Sequence, residues 1–400
     1  MIRLEPGLRK GRLRLPQSKS HAHRVLIADF LAGGVAYRET NPLDCDDILA
    51  TKRCLASLAA AKGDATFLSR EKRCVRLPVG ESGTTRRLLG PVVAALGLTP
   101  EWKMEGRLAS RPQIEYAELK PGVHELPGDV SSQFVSGLLL ALPLTKGDSE
   151  IRLSSPLASR GYVDMTLDVL KTYGICVTET ETGFLVPVGK YVLPAEGVRI
   201  ESDWSGAAFP LALNALGNEI EFPTDGLSDE SRQPDRVVGE MLERMTGSSH
   251  ATGMSRPLCD AESDSSHATG MSRPLCVDVD ACPDLFPVLT VVAAAQPRVT
   301  RFTGIRRLRL KESDRVAAMA DVLSRFGVAV EVSDDAFVVH GVSGPFKGGD
   351  FASCADHRIA MSIAVGATRA AAPVIIDNET CVAKSYPTFF ADFSPLAFSR

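Results

Sequence analysis

The chain has 400 residues, a net charge of −4 at neutral pH, 44% hydrophobic and 24% charged side chains, which excludes a disordered or fibrous protein. Two domains of about 200 residues each are expected, since one core rarely grows to this length, and mild acidity argues against nucleic acid or an anionic membrane as partner. The longest apolar runs, 134–144 and 286–295, are about half the ~20 residues of a membrane span, and the basic N-terminus lacks the apolar core and cleavage pattern of a secretory signal, so a cytoplasmic protein is expected.

In chain order, the first element opens at Ser18-Lys19-Ser20 and runs into VLIADFLAGG, enough for a helix of three to four turns. Asp46–Gly63 carries apolar residues at i, i+3, i+4 and ends in glycine, an amphipathic helix with a C-terminal stop. Ser82-Gly83-Thr84 opens LLGPVVAAL, and Ser131-Ser132-Gln133 opens FVSGLLLALPL. These two openings lie closer together than the others, and no second helix fits between Arg111 and Ser131. A second amphipathic helix follows at 163–174, and ICVTETETGFLVPV reads as a hairpin with a polar turn.

Ser202-Asp203-Trp204-Ser205 opens AAFPLALNAL, and 235–247 is again amphipathic with a closing glycine. Where a hairpin is expected next, SSHATGMSRPLC stands at 248–259 and again, identically, at 265–276. This reads as a recent duplication, with His250 and His267 carried along as passengers rather than ligands. Pro283-Asp284 opens LFPVLTVVAAA, the charged run 308–319 leads into a helix over 314–327, VAVEVSDDAFVVHG reads as a hairpin, and Asp356-His357-Arg358 opens IAMSIAVGA. The unit is helix, strand, helix, hairpin, about 65 residues long, in six copies, three to a domain. Two places depart from it, the short interval before Ser131 and the duplicated tract.

An apolar helix of this kind is buried nearly all round, so its polar opening residues face solvent only at the N-terminal end. Unpaired N–H groups and partial positive charge there suit phosphate or carboxylate. Ordinary N-capping explains such openings singly; six on one repeat point to small anions. Lys311 and Arg315 lie one turn apart on a shared face, although a solvated helix start with its own ion pairs is the bland alternative. Lys19, Arg24, Arg87, Arg111, Arg358 and Lys384 all stand at or beside an opening or turn, a set suited to gripping carboxylate or phosphate. Asp284 and Glu312 are carboxylates among these cations, and such neighbours can serve as proton donor and acceptor because local charge and desolvation tune each differently. Nine cysteines occur without CxxC or His/Cys ligand spacing and read as reduced, mostly buried thiols.

The motifs PQSKSHAHR, GESGTTRR, ASRP, GDVSSQF, SRGYVDMTL, PDLFPVL, LRLKESDR, DHRIAM and CVAKSYPTFF, in that order, span about 370 residues and resemble the 5-enolpyruvylshikimate-3-phosphate synthase family. The resemblance implies an α/β fold of two similar domains, each of three inside-out βαβαββ units, with the second unit truncated here. Residues 15–200 would form one domain, on the shikimate-phosphate side. Residues 1–14 with 201–400 would form the other, with the substrates in the cleft between them. It implies transfer of the enolpyruvyl group of phosphoenolpyruvate to the 5-hydroxyl of shikimate 3-phosphate, with release of phosphate, by a monomer without metal or organic cofactor.

Motif by motif, Lys19 would touch both substrates. Ser20, Arg24, Ser131, Ser132, Gln133, Ser159, Tyr162 and Lys311 would hold shikimate 3-phosphate. Gly83, Arg87, Arg111, Arg315, Arg358 and Lys384 would hold phosphoenolpyruvate. Asp284 would accept the hydroxyl proton, while Glu312, with Lys19, would manage protonation at the methylene. Glyphosate would compete for the phosphoenolpyruvate site, where Gly83 leaves room. Glu81 and Ser82 stand where many members carry Asn-Ala, and Arg307 where some use Asn against the shikimate phosphate. The duplicated tract puts the placement of Asp284 in question, and the short second unit is expected to expose apolar surface. The alternatives are an inactive homologue that still binds substrate and UDP-N-acetylglucosamine enolpyruvyl transferase, whose reactive-loop cysteine has no counterpart near Arg87.

Overall fold

The computed structural model describes residues 1–63, 74–247 and 274–398. β1 (Ile2–Leu4) and β2 (Arg9–Arg12) precede α1 (Lys19–Leu31) and α2 (Asp46–Gly63). Next come β3 (Cys74–Gly80), α3 (Gly83–Ala95), β4 (Thr99–Met104), β5 (Gly122–Leu126), α4 (Ser132–Ala141), β6 (Ser149–Leu153), α5 (Arg160–Thr172) and the hairpin β7 (Thr178–Thr180) and β8 (Gly183–Val186). The second half holds α6 (Trp204–Ala215), β9 (Glu219–Glu221), α7 (Val238–Thr246), β10 (Leu275–Asp278), α8 (Phe286–Ala294), β11 (Val299–Thr303) and α9 (Arg315–Arg325). It continues through β12 (Ala329–Val332), β13 (Ala336–His340), β14 (Gly349–Phe351), α10 (His357–Ala367), β15 (Val374–Ile376), α11 (Phe389–Phe393) and β16 (Ala397–Phe398).

Two sheets share one strand order. In β5-β6-β8-β7 and β10-β11-β13-β12 the first pair is parallel and the other two antiparallel. Each is a complete βαβαββ unit, its parallel pair joined over a helix as that geometry requires. β1 pairs with β15 and β2 with β9, so the N-terminal strands complete sheets of the second half. Two cores result, one centred on α1, α3 and α4 and the other on α6, α8 and α10. Every residue of α8 and α10 is buried, as expected for helices without a polar face. Together the halves make two similar α/β domains. Among the described residues no helix is long and apolar enough to cross a membrane.

Four of the six predicted openings become helix caps. Ser18, Ser82 and Ser131 occupy the cap positions of α1, α3 and α4, and each Oγ accepts a main-chain N–H of the first turn at 3.3 Å. Asp356 caps α10, accepting from the Arg358 N–H at 2.9 Å. Asp314 caps α9 through the Val316 and Ala317 amides, which leaves Glu312 to pair with Arg315 and Arg111. Asp203 stands at the cap position of α6 without capping it, and α8 begins beyond Asp284. Gly247 ends α7 with φ +70° and Gly327 follows α9 with φ +84°, left-handed conformations that favour glycine.

Four expectations change. Between α1 and α2 the described residues hold a 3-10 turn at Ala36–Arg38 in place of a strand; Asp29 accepts the Ala36 N–H at 3.0 Å and fixes the bend. The second unit lacks its second helix, as expected, but the apolar surface is covered. Ile114 and Tyr116 of the 112–121 loop pack on the core, Leu119 is buried, and the Arg86 guanidinium lies 4.2 Å over the Trp102 ring. The cysteines are less buried than expected, because Cys74, Cys176, Cys276 and Cys354 are exposed; Cys74 and Cys276 fall on outward positions of alternating strands. Finally, the second copy ends by forming part of β10, whose parallel register against β11 leads the chain to Asp284. The rest of the duplicated tract, with His250 and His267, lies outside the described residues.

Candidate active site

The N-terminal ends of α1 to α5 and of α8, α9 and α10 converge on a cleft between the halves. Seven cationic side chains line it, Lys19, Arg24, Arg87, Arg111, Arg307, Lys311 and Arg315, against the carboxylates of Asp47, Asp284 and Glu312. Fixed cations and helix N-termini thus point into one space, the arrangement that retains anions.

Arg315 organises the second-half wall. As the first residue of α9 it is 1% exposed, with Nε 2.9 Å from Asp356 Oδ2, Nη1 2.7 Å from Asp284 Oδ1 and Nη2 3.1 Å from Glu312 Oε2. Lys311 Nζ lies 3.5 Å from Asp284 Oδ1, and Arg358 Nη2 lies 3.6 Å from Oδ2. Burial alone would raise the proton affinity of Asp284, but Lys311, Arg315 and Arg358 outweigh it and hold the carboxyl well below its ordinary range. Glu312 is likewise held down against burial by Arg315 and Arg111. Both carboxylates are therefore ionised. Lys311 shifts downward, because burial and its cationic neighbours exceed the pull of Asp284.

In the first half, Lys19 Nζ lies 3.0 Å from Asp47 Oδ2. Burial works against its charge, but Asp47 and the neighbouring acids more than offset this and raise its pKa. Arg24 is committed internally, donating to Thr166 Oγ1, the carbonyls of Ser20 and Tyr162, and Ser136 Oγ. It sets the floor of the cleft rather than offering a free fork. Arg87 donates to Gln133 Oε1 at 2.8 Å and to the Pro112 carbonyl, and burial beside Arg111 pushes its pKa down to about 10. The Nε groups of Arg87, Arg111 and Arg358 are buried without a hydrogen-bond partner among the described residues.

Several side-chain contacts tie the halves together here. Arg111 Nη1 meets Glu312 Oε1 at 3.4 Å, Arg307 Nη2 donates to Ser159 Oγ at 3.1 Å, and Lys384 Nζ reaches Glu81. Ser159 itself has φ +51°, a left-handed conformation for a residue with a side chain, which marks a strained site.

Of the residues named from sequence, Lys19, Ser20, Arg24, Gly83, Arg87, Arg111, Ser131, Ser132, Gln133, Ser159, Tyr162, Asp284, Lys311, Glu312 and Arg315 line the cleft. Arg358 and Lys384 do not. Arg358 lies behind Asp284 and donates to the Ser205 carbonyl at 2.8 Å, while Lys384 is bonded to Glu81.

Sequence reasoning missed Asp47, Thr84 and His357 as lining residues and Asp356 as the anchor of Arg315. It also missed Asp235, a fully buried carboxyl that accepts from Ser205 Oγ. Burial and nearby Asp284 raise the Asp235 pKa to about 7. Buried His357 has no ring partner among the described residues, and burial beside Arg358 and Lys19 keeps it neutral. Asp47 was discoverable as the second carboxylate of the Asp46-Asp47 pair opening α2; nothing local marks Asp235.

A family model for EPSP synthase (3-phosphoshikimate 1-carboxyvinyltransferase) matches residues 6–112 and 103–393. The chain is 35% identical over 425 aligned positions to the 3-phosphoshikimate 1-carboxyvinyltransferase of Clostridium kluyveri, covering 99% of this chain and 97% of that protein. It is 33% identical to the protein of that name from Clostridioides difficile, with the same coverage. Among solved structures, EPSP synthase from Acinetobacter baumannii superposes with a TM-score of 0.71 at 23% identity, over 100% of this chain and 99% of that one. The enolpyruvyl transferase NikO from Streptomyces tendae superposes with a TM-score of 0.63 at 15% identity, over 99% and 98%. The two structural likenesses speak for the fold.

Proposed function

Because the chain belongs to the EPSP synthase (3-phosphoshikimate 1-carboxyvinyltransferase) family of enolpyruvyl transferases, we propose that it joins phosphoenolpyruvate to the 5-hydroxyl of shikimate 3-phosphate and releases phosphate. The observation that carries this reading is the placement of two ionised carboxylates, Asp284 and Glu312, on one buried guanidinium, Arg315, in a cation-lined cleft.

The chemistry needs that placement. The phosphate-bearing carbon of phosphoenolpyruvate becomes electrophilic only as its methylene takes a proton. The hydroxyl then adds while losing its own, forming one C–O bond. Loss of a methyl proton and breakage of the C–O bond to phosphate restore the double bond. An acid, a base and orientation are therefore required in one cleft. Asp284 takes the hydroxyl proton, and Glu312, with Lys19, handles the methylene proton.

Substrate anions reaching Arg111, Arg315 and Lys311 would draw these cations away from the two carboxylates and add negative charge beside them. Both changes raise carboxylate proton affinity. Glu312 then acquires the proton it donates, and Asp284 becomes a stronger base. Ser20, Ser131, Ser132, Gln133, Ser159, Tyr162 and Lys311 hold the acceptor, with Arg24 bonded to the carbonyls of Ser20 and Tyr162; Gly83, Arg87, Arg111 and Arg315 serve the donor, joined by Arg358 and Lys384 once these leave Asp284 and Glu81. The Arg87–Gln133 contact at 2.8 Å links the two sets.

Mass spectrometry of a reaction containing purified protein, phosphoenolpyruvate and shikimate 3-phosphate tests the proposal. The expected result is the enolpyruvyl ether of shikimate 3-phosphate; a folded protein that leaves both substrates unchanged contradicts it.

A further inference from the structure

Lys384 is held by a carboxylate from the opposite half of the molecule. It closes the 3-10 turn Thr380–Lys384, its side chain is 9% exposed, and its Nζ lies 3.2 Å from the Glu81 carbonyl oxygen and 3.3 Å from Glu81 Oε2. Glu81 sits in the turn between β3 and α3, next to the cap Ser82 and two residues before Arg111-facing Gly83. Its carboxylate is half-exposed and passes over Gly106 (φ +53°), where a Cβ would stand 1.9 Å from Glu81 Oε1; a side chain at 106 would push this flexible acid aside. Asp46, Asp47 and Glu312 are also within electrostatic reach of Lys384, but Glu81 is the acid in contact.

We propose that Glu81 is a resident counter-ion of the donor site, one that an incoming phosphate or carboxylate must displace from Lys384. The proposal rests on the reading of the cleft as an enolpyruvyl-donor site. Its physical basis is competition for one ammonium group, whose bonds to Glu81 are lost when a ligand anion takes them. Every anion that takes Lys384 bears that same cost, so Glu81 lowers the affinity of the site for inorganic phosphate, the leaving product, and for the donor alike.

The test is equilibrium binding of inorganic phosphate, followed by thermal melts, to the wild-type protein, Glu81→Gln, Lys384→Ala and the double variant, beside KM for phosphoenolpyruvate and inhibition by phosphate. Glu81→Gln is expected to bind phosphate roughly 3–10-fold more tightly than wild type. KM for phosphoenolpyruvate should fall by a similar factor, and neither gain should appear when Lys384 is alanine. Unchanged or weaker phosphate binding in Glu81→Gln overturns the inference, as does a gain that persists in the Lys384→Ala background or no detectable phosphate binding in any of the four proteins. Binding does not depend on turnover. Tighter phosphate binding without enolpyruvyl transfer would sink the proposed function and leave the role of Glu81 at an anion site standing.

Discussion

Asp356 accepts from Arg315 Nε at 2.9 Å while capping α10 through the Arg358 N–H, and the two side chains are 0% and 1% exposed. One buried carboxylate thus fixes the starts of two helices and the guanidinium that holds Asp284 and Glu312. Arg315 Nη2 at 3.3 Å and Ser313 Oγ at 3.0 Å also donate to this carboxylate. The proton-handling groups are set by a network whose members come from segments 41 and 43 residues apart in sequence.

Arg315→Ala should lose both stability and function. It leaves the carboxylates of Asp356, Asp284 and Glu312 without their shared cation, and breaking a buried pair of this kind costs about 3–5 kcal/mol. A thermal melt should fall accordingly, and kcat/KM should drop at least ~100-fold. Arg315→Lys keeps the charge but not the three-way fork, so it should recover part of the melting temperature and little of the activity.

Opposite pH dependences are expected from two neighbouring acids. The folded-state pKa of Asp284 is depressed, so its stabilisation is present above the ordinary aspartate value of about 4 and is lost as pH falls through the folded value. Asp235 is raised to about 7, so its contribution is complete below about pH 4 and is lost as pH rises to about 7. Asp235→Asn should therefore gain stability over wild type progressively from pH 4 to 7, on the order of 2–4 kcal/mol. Melting curves across that range decide the matter; a constant offset would show that Asp235 is not the titrating group.

Gly83 is constrained by space rather than by backbone conformation. A Cβ at this position would lie 3.2 Å from Nη1 of both Arg87 and Arg111, tight enough to push two donor-side guanidinium groups. Gly83→Ala should raise KM for phosphoenolpyruvate about 3–20-fold, an effect of a few tenths to two kcal/mol. The wild-type protein should be inhibited by glyphosate competitively with phosphoenolpyruvate, and the alanine variant less so. Full wild-type activity in millimolar glyphosate would contradict this.

Arg307 should act on the acceptor side alone. Its guanidinium joins Ser159 across the cleft and is balanced by Asp280 at 2.9 Å. Arg307→Ala should raise KM for shikimate 3-phosphate at least ~10-fold and leave KM for phosphoenolpyruvate nearly unchanged. Initial rates at varied acceptor and fixed donor measure the split.

The helix openings were legible because capping is local. A hydroxyl or carboxylate before an apolar run is visible within four residues, and Ser18, Ser82, Ser131 and Asp356 cap as their positions suggest. Motif spacing brought fifteen of the named residues to one cleft. Partnerships across the fold were not legible. The Lys384–Glu81 pair joins positions 303 apart in sequence, and Asp235 lies behind Asp284 through Ser205 and Arg358, with no periodicity to signal either. The cover over the truncated unit escaped notice for a similar reason. Ile114, Tyr116 and Leu119 sit in a loop without regular spacing, and only the tertiary packing shows that they replace a helix.

The most direct measurement is phosphate release by the purified protein given phosphoenolpyruvate, with shikimate 3-phosphate as acceptor, beside UDP-N-acetylglucosamine and beside the Asp284→Asn variant. Release that requires shikimate 3-phosphate, is absent with UDP-N-acetylglucosamine and falls ~100-fold or more in the variant is the predicted result. Release with UDP-N-acetylglucosamine, an unaffected variant, or no release from a protein that melts cooperatively would contradict it.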